Sequence, residues 1–266
     1  VLRRTEKLRK MEAWDLAEQT AQITHRYNNE TLARAINSLY TKETRSSYAI
    51  EGENPSPERE RRFLAALKRA GEFFPVDKSK LLKLQADILD PRYAATDWRD
   101  IQNFVGQTTR NFDQLVHFIC PRPQDLPSLM EGWFELSARL LGSSLDPILA
   151  AAVLAFSFVF IHPFEDGNGR IHRFVIHAFL AARSFGPPGI LLPVSAAILR
   201  QKAEYERVLE SFSRPQLNAI QWDYLPDQSI QVHNETAHLY RFFDATPQVE
   251  FLFARAAEAI QTDLVE

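Results

Sequence analysis

Between Pro147 and Pro163 the chain reads ILAAAVLAFSFVFI (148–161), with one serine and no charge. A helix of this composition has no polar face to offer water, so it must be covered on every side. It falls short of the ~20 apolar residues that span a bilayer. It therefore predicts a buried helix at the centre of the fold. The 45% hydrophobic content of the 266 residues is enough for a sizeable core. The length suits one large domain, or a core with a small appendage. A net charge of −3 gives no basic footprint of the kind that nucleic-acid binders carry. Cys120 is the single cysteine, which excludes an intramolecular disulfide framework and fits a reducing compartment. The N-terminal VLRRTEKLRKMEAWDL contains no apolar h-region and does not read as a signal peptide. The expectation is a soluble, cytoplasmic protein with no membrane and no nucleic-acid partner.

Helical periodicity runs through 6–26 and about 30–51, where Leu32, Ile36, Leu39 and Tyr40 share a face. Gly52 stops the second helix, with Asn54-Pro55 beyond it. Ser56-Pro57-Glu58 predicts a capped helix reaching Gly71, and Asp77 opens another that stops before Pro91. The pieces IQNFVG (101–106) and LVHFI (115–119) predict a short hairpin joined by TTRNFD. Helices resume at 126–141, 147–161 and 168–184. Ser195 is expected to cap one through about 212, and two more patterns cover 235–243 and 247–264. The fold class is all-α, a helical bundle with a small β-hairpin. Its expected parts are an N-terminal helical region (1–91), a core (92–214) holding the hairpin at about 101–119, and a C-terminal helical appendage (215–266).

Straight after the apolar helix comes HPFEDGNGR (162–170). Pro163 pushes the preceding residue out of the α region, so the helix should end at about His162. Gly167 and Gly169 permit unusual dihedrals and close approach to the backbone. RIHRFVIHAFLAAR then forms a helix, which leaves the Gly167-Asn168-Gly169 amides at its N-terminus. There, unpaired N–H groups and the positive dipole end attract anions. Arg170 and Arg173 lie close to one face and can bind phosphate oxygens. Asp166 suits a Mg²⁺ ion riding on those phosphates, and His162 is a base candidate at neutral pH. Taken singly, these residues read as a helix cap, a turn and a solvated pair. Their concurrence, at spacings that serve one phosphate chain, favours a phosphate-binding catalytic loop.

HPFEDGNGRIHR matches in full the signature HPFx[D/E]GNGRxxR, and on these residues the chain resembles the Fic family. The resemblance implies a Fic-fold helical core and transfer of AMP from ATP to a Tyr, Thr or Ser hydroxyl of a target protein, releasing pyrophosphate. It implies that His162 deprotonates the hydroxyl and that Asp166 holds Mg²⁺ between the α- and β-phosphates. Gly167, Asn168 and Gly169 would form the anion hole, with Asn168 positioning the α-phosphate. Arg170 would contact the β-phosphate region and Arg173 the γ-phosphate, while Pro163 and Phe164 shape the loop. Attack at the α-phosphate comes from the resemblance. The residues themselves speak only for positioning and charge neutralisation around phosphate.

SSYAIEGE (46–53) places Glu51 in the last turn of a helix, where the dipole disfavours a carboxylate by roughly 0.3–1 kcal/mol. An exposed, solvated Glu tolerates that cost, whereas a buried or functional one wants a cation partner. Ser47, Glu51 and Gly52 resemble the Fic inhibitory motif [S/T]xxxE[G/N]. That resemblance implies a pairing of Glu51 with Arg173 that blocks the γ-phosphate position, making the chain autoinhibited. Ser47 and Glu51 lie four apart, within reach of a supporting hydrogen bond.

The hairpin corresponds in order to the family's flap, an edge that holds a target segment by main-chain pairing. LPVSAAILRQKAEYERVL (192–209) resembles the family helix in which Tyr205 borders the adenine pocket, though an amphipathic core helix explains it nearly as well. The resemblance spans about 43–212. Self-modification and a homodimer are compatible with it. Removal of AMP in the same pocket, a non-catalytic nucleotide-sensing regulator, a phosphate-transferring relative of the Doc toxins, and other nucleotide or phosphocholine donors stay open as alternatives. His172 and His177, like His233 and His238, are five apart and do not point to a shared metal. His25 and His117 show no identifiable partner, and the basic run around Glu60–Phe63 reads as a solvated helix face.

Overall fold

The structure, a computed structural model, describes residues 1–108 and 114–265. Five helices come first: α1 (Glu6–Glu12), α2 (Leu16–Thr24), α3 (Asn29–Ile50), α4 (Pro57–Lys68) and α5 (Lys78–Ile88). The hairpin strands β1 (Phe104–Thr108) and β2 (Gln114–Ile119) follow. Next come α6 (Leu126–Leu141), α7 (Pro147–Ile161), α8 (Asn168–Ala182), α9 (Val194–Arg200) and α10 (Lys202–Leu217). A second hairpin, β3 (Trp222–Tyr224) and β4 (Ile230–Val232), precedes α11 (Ala237–Arg241) and α12 (Thr246–Glu258). The all-α bundle with a small hairpin expected from the sequence is the architecture observed.

Helix α7 is the centre. Asp146 caps it by accepting the amides of Ile148 and Leu149, and Pro147 occupies its first turn. It packs against α6, α8 and α12, so that residues on all its sides, such as Leu149, Phe156 and Phe158, are buried. Each such side chain contributes about 1.5–3 kcal/mol on leaving water. The indole of Trp133 on α6 donates to the carbonyl of Leu154 at 3.0 Å, fixing α6 to α7.

Helix α3 lies on α8 and α9, held by a buried carboxylate. Glu43 is fully buried; it meets His177 Nε2 of α8 at 2.7 Å and accepts from Ser195 N–H of α9 at 2.8 Å. The Ser195 hydroxyl donates to the same carboxylate. One acid thus ties three helices together.

Several local expectations need correction. The helix expected over 6–26 is two, because Asp15 turns left-handed (φ 41°) and caps α2 by accepting from Glu18 N–H. Ser195 caps nothing. The helix starts one residue earlier, and the expected 195–212 run breaks at Gln201 into α9 and α10. The segment after 215 is not helical throughout: β3 pairs antiparallel with β4, and α12 packs on α7 and α10 as part of the core. In the first hairpin, β1 pairs antiparallel with β2 with a register shift between Val105 and Gly106. Of the expected TTRNFD connection, residues 109–113 lie outside the described residues.

Candidate active site

The loop 162–170 joins the two most buried helices, α7 and α8. His162 closes α7 in the left-handed conformation (φ 52°, ψ 57°), turning the chain sharply before Pro163. Its Nδ1 lies 3.1 Å from the Val159 carbonyl. A carbonyl only accepts, so Nδ1 carries the proton and Nε2 keeps its lone pair. Burial pulls the ring's pKa down to about 4. Arg99 adds to that shift, while the hydrogen bond to Val159 and the charges of Glu51 and Asp166 oppose it. His162 is therefore neutral at pH 7, and it lines a cavity of about 530 Å³.

The turn is self-supporting. Phe164 is fully buried against Trp98 and Phe158. Gly167 takes a positive φ of 90° directly before α8, a conformation that a Cβ would strain. The first backbone bond of α8 runs from Ile171 N–H to Gly167 O. The amides of Asn168, Gly169 and Arg170 precede it and form the anion-attracting end of the helix.

The Asn168 side chain is engaged in the turn itself. Its Oδ1 accepts from Phe164 N–H at 3.0 Å and its Nδ2 donates to Phe164 O at 2.8 Å. The buried side chain staples the turn, and only its backbone N–H is directed to anion binding by its place in the helix.

Both arginines are inaccessible, at 0% (Arg170) and 1% (Arg173) exposure, which makes their partners decisive. Arg173 donates from Nε to Ser47 Oγ (2.8 Å) and from Nη2 to Ser47 O (2.7 Å) and Glu51 Oε1 (2.8 Å). Burial works against its charge, and Glu51, Tyr205 and Glu43 together more than offset this, so its pKa stands above the ordinary value. Arg170 Nε lies 2.9 Å from Glu51 Oε2, and its Nη2 lies 2.9 Å from both Glu53 and Asp166. The guanidinium rests over the Tyr48 ring at 5.3 Å. The single carboxylate of Glu51 therefore spans Arg170 and Arg173.

Glu51 also sits against the start of α8, so close that a Cβ on Gly169 would overlap its Oε1. An intramolecular anion occupies the site that the sequence assigned to phosphate. Ser47 bonds Arg173 and not Glu51, a correction to the expected Ser47–Glu51 pairing. Gly52 (φ 72°) lets α3 end in a Schellman turn, with Glu53 N–H on Tyr48 O and Gly52 N–H on Ala49 O. That turn aims Glu51 at α8.

Asp166 is 55% exposed, and its Oδ1 takes the Arg170 contact and the Gly167 amide. Among the described residues no cluster of three or more His, Cys, Asp or Glu could cage a metal. One exposed carboxylate fits Mg²⁺ in its usual mode, held by one or two carboxylates, waters and nucleotide phosphates.

Tyr205 is buried, stacks at 5.8 Å from Phe251 and lines the same cavity as His162, Glu51 and Gly169. The cavity's other wall is the hairpin, through Val105, Gly106 and Phe118.

Several participants were not identified in the sequence. Glu53 bridges Arg170 and Arg59; it lies 2.8 Å from Arg59, whose guanidinium rests 5.2 Å from the centre of the Tyr48 ring. Arg62 donates to Leu89 O at 2.7 Å. The basic run is thus part of the site's support and not simply a solvated face. His117 has a partner, Glu210, at 3.2 Å. Arg99 donates to the His162 carbonyl at 2.9 Å. The one signal that could have found Glu53 was its position directly after Glu51-Gly52.

A helical fold in which an amide-lined helix start, the buried Arg173 and a neutral histidine share one cavity, with Arg170 buried beside Glu51, is the arrangement expected of a Fic-type domain. Residues 75–180 match the family model described as Fic/DOC family, and this part of the chain is a Fic domain. The chain is 30% identical over 105 residues to a protein adenylyltransferase Fic of Drosophila willistoni, covering 40% of this chain and 20% of that protein. A protein of the same name from Culex quinquefasciatus is 29% identical over 181 residues, covering 64% and 34%. The chain therefore spans a fifth to a third of the length of these curated relatives. A Fic family protein from Desulfovibrio desulfuricans superposes with a TM-score of 0.66 at 21% identity, over 97% of this chain and 74% of that one. A Fic domain containing signaling protein from Bacteroides thetaiotaomicron gives 0.65 at 19% identity, over 97% and 96%. At these identities the two superpositions establish the fold. No helix among the described residues is long and apolar enough to cross a membrane.

Proposed function

We propose that this chain is an autoinhibited protein adenylyltransferase, moving AMP from ATP to a hydroxyl side chain of a protein held along the β1–β2 hairpin. The observation that carries this reading is the anion site at the start of α8, flanked by Arg170 and Arg173 and sharing a cavity with His162. The relatives' name supports the choice of AMP.

In the proposed reaction the target hydroxyl gives its proton to His162 Nε2 as its oxygen bonds to the α-phosphorus. The bond from that phosphorus to the α–β bridging oxygen breaks, and pyrophosphate leaves. Little covalent work falls to the protein, so positioning and charge neutralisation supply the acceleration. The amides of 168–170 and the two arginines hold the phosphates. Asp166 would hold Mg²⁺, which when bound neutralises phosphate charge. Tyr205 forms a wall for the nucleotide. Glu51 restrains the enzyme because its carboxylate uses the arginines and covers Gly169, and ATP must displace it to bind productively.

The test is intact-mass spectrometry after incubation with ATP and Mg²⁺. Glu51→Gly should gain AMP by self-modification or pass it to an added target, with weak addition to the unsubstituted chain. Glu51→Gly/His162→Ala should gain none while still binding ATP. The His162 side chain is held by one hydrogen bond, to Val159, so its loss should leave the fold intact. AMP addition that survives the double substitution would refute the assignment of His162. If Glu51→Gly adds no AMP, the same protein is given an AMP-modified substrate, and release of AMP there would identify the reverse reaction.

A further inference from the structure

The segment before the first hairpin strand contains a guanidinium with an unusual set of partners. Arg99 is 4% exposed, and among the described residues it forms no salt bridge. Its Nε donates to His162 O at 2.9 Å, its Nη1 to Ile101 O at 2.7 Å and its Nη2 to Pro121 O at 2.6 Å. Its own backbone N–H donates to Pro163 O at 2.9 Å. Ile101 lies in the leg entering β1, Pro121 in the leg leaving β2, and His162-Pro163 in the loop that presents the base. One planar group thus fastens both legs of the hairpin to the peptide of His162.

Neighbouring bonds run between the same parts. Asn103 Nδ2 donates to Glu165 O at 3.2 Å, and Gln102 Nε2 donates to Cys120 O at 2.8 Å across the hairpin base. The His162 carbonyl is a sensitive place to hold. It joins the hairpin to the loop, while the ring is aimed separately by its own bond to Val159 O. A buried charge is retained only where its donors are satisfied, and the fork of arginine reaches three acceptors in fixed directions that a lysine ammonium on its flexible stem does not reproduce.

We infer that Arg99 is a positioning residue that fixes the edge of the β1–β2 hairpin relative to His162, and so sets which hydroxyl of a bound protein segment meets the base. This rests on the adenylyltransferase reading for its functional consequence, but the mechanical link stands on the geometry alone. The distinguishing consequence concerns the acceptor. Water can accept AMP in the same pocket, giving free AMP and pyrophosphate with the proton again taken by His162. Water needs no hairpin register, whereas a protein hydroxyl does.

The experiment uses Arg99→Lys in the Glu51→Gly background. It measures AMP incorporated into protein, free AMP formed from ATP, and ATP affinity. Incorporation should fall about a hundredfold, the scale of a one-ångström misplacement, while free AMP formation and ATP affinity change by less than about threefold. Asn103→Ala, which cuts the neighbouring link, should lower the same incorporation-to-hydrolysis ratio by a smaller factor. A parallel fall of both reactions, or no fall in either variant, would overturn the inference in favour of a merely structural arginine.

Hydrogen exchange on Arg99→Lys in the otherwise unsubstituted chain gives an arm independent of turnover. The amides of 115–120 and 162–168 should exchange faster together, while those of α12 stay unchanged. Unchanged exchange at both places overturns the inference. If the Glu51→Gly parent neither transfers AMP nor hydrolyses ATP, the adenylyltransferase reading fails, and the exchange result alone decides whether Arg99 links hairpin and loop.

Discussion

Replacing Glu51 by glycine removes the anion that spans Arg170 and Arg173, and the geometry sets the size of the effect. Two charge-assisted contacts are lost, at 2.9 Å to Arg170 and 2.8 Å to Arg173. The Arg173 contact is a hydrogen bond between charged groups, worth about 1.5–3 kcal/mol, and the Arg170 contact is an ion pair outside hydrogen-bond geometry, worth about 1 kcal/mol. The Glu51 side chain is 26% exposed, which places these contacts at the low end. Together they amount to about 2.5 kcal/mol, so the open state holds roughly one molecule in seventy. Glu51→Gly should therefore raise ATP affinity about seventyfold. Folding stability should fall by less than that contact energy. Arg173 keeps both bonds to Ser47, and Arg170 keeps Glu53 and Asp166. Removing a carboxylate from a helix C-terminus also returns about 0.3–1 kcal/mol. Isothermal titration calorimetry with ATP and Mg²⁺ measures the affinity, and urea denaturation the stability. Equal ATP affinities, within about threefold, would refute the reasoning, because an anion that occupies the site must weaken any other that needs it.

Two further outcomes are expected from the same geometry. Gly169→Ala should destabilise the unsubstituted chain by about 1–3 kcal/mol, because its Cβ would overlap Glu51 Oε1. Most of that loss should vanish in Glu51→Gly, and additive urea midpoints in the double-mutant cycle would contradict the contact. His172 is fully buried beside Phe156, and burial pulls its pKa down to about 3, as it pulls His162 to about 4. Both are neutral when folded, whereas the unfolded chain binds their protons near pH 6.5. Their stability contribution is complete above pH 6.5 and is lost as pH falls towards 4 and 3, by at most about 1.4 kcal/mol per pH unit for each. His172→Phe should flatten the stability slope between pH 4.5 and 6, and an unaltered slope would refute the assignment.

The parts that were legible in the sequence share a property: their meaning is local or their partner is a charge. HPFEDGNGR declares its turn through Pro163, its left-handed position through Gly167 and its anion site through the helix that comes after it. Glu51 stood out as a carboxylate at a helix C-terminus, but its pairing with Arg173, across 122 residues, was legible only through the resemblance of Ser47, Glu51 and Gly52 to the inhibitory motif. Arg99 escaped because its partners are main-chain carbonyls, which every residue possesses and no spacing reveals. Glu43, His177 and Ser195 escaped because the buried acid on α3 is satisfied by two other helices, α8 and α9, at once. The bonds of the Asn168 side chain to the turn escaped because an amide can serve a ligand or a turn, and only the structure shows the Phe164 backbone taking both its ends. The β3–β4 hairpin has strands of three residues, too short for an alternation to register.

The anchoring of α3 gives the helix the mechanics of a cantilever. Its root is Glu43, buried in α8 and α9, and eight residues further on, about 12 Å of helix, its tip carries Glu51. Tyr48, whose hydroxyl donates to Ile88 O at 2.9 Å, clamps the beam within one turn of that tip. The part left to bend is Ala49–Glu53, closed by the backbone bonds onto Tyr48 and Ala49. Moving Glu51 off the arginines thus requires a local fraying of the last turn, with the root undisturbed and the core intact. The lever lies in the short stretch between Glu53 and the Ser56 cap of α4, and tension applied there acts directly on the tip.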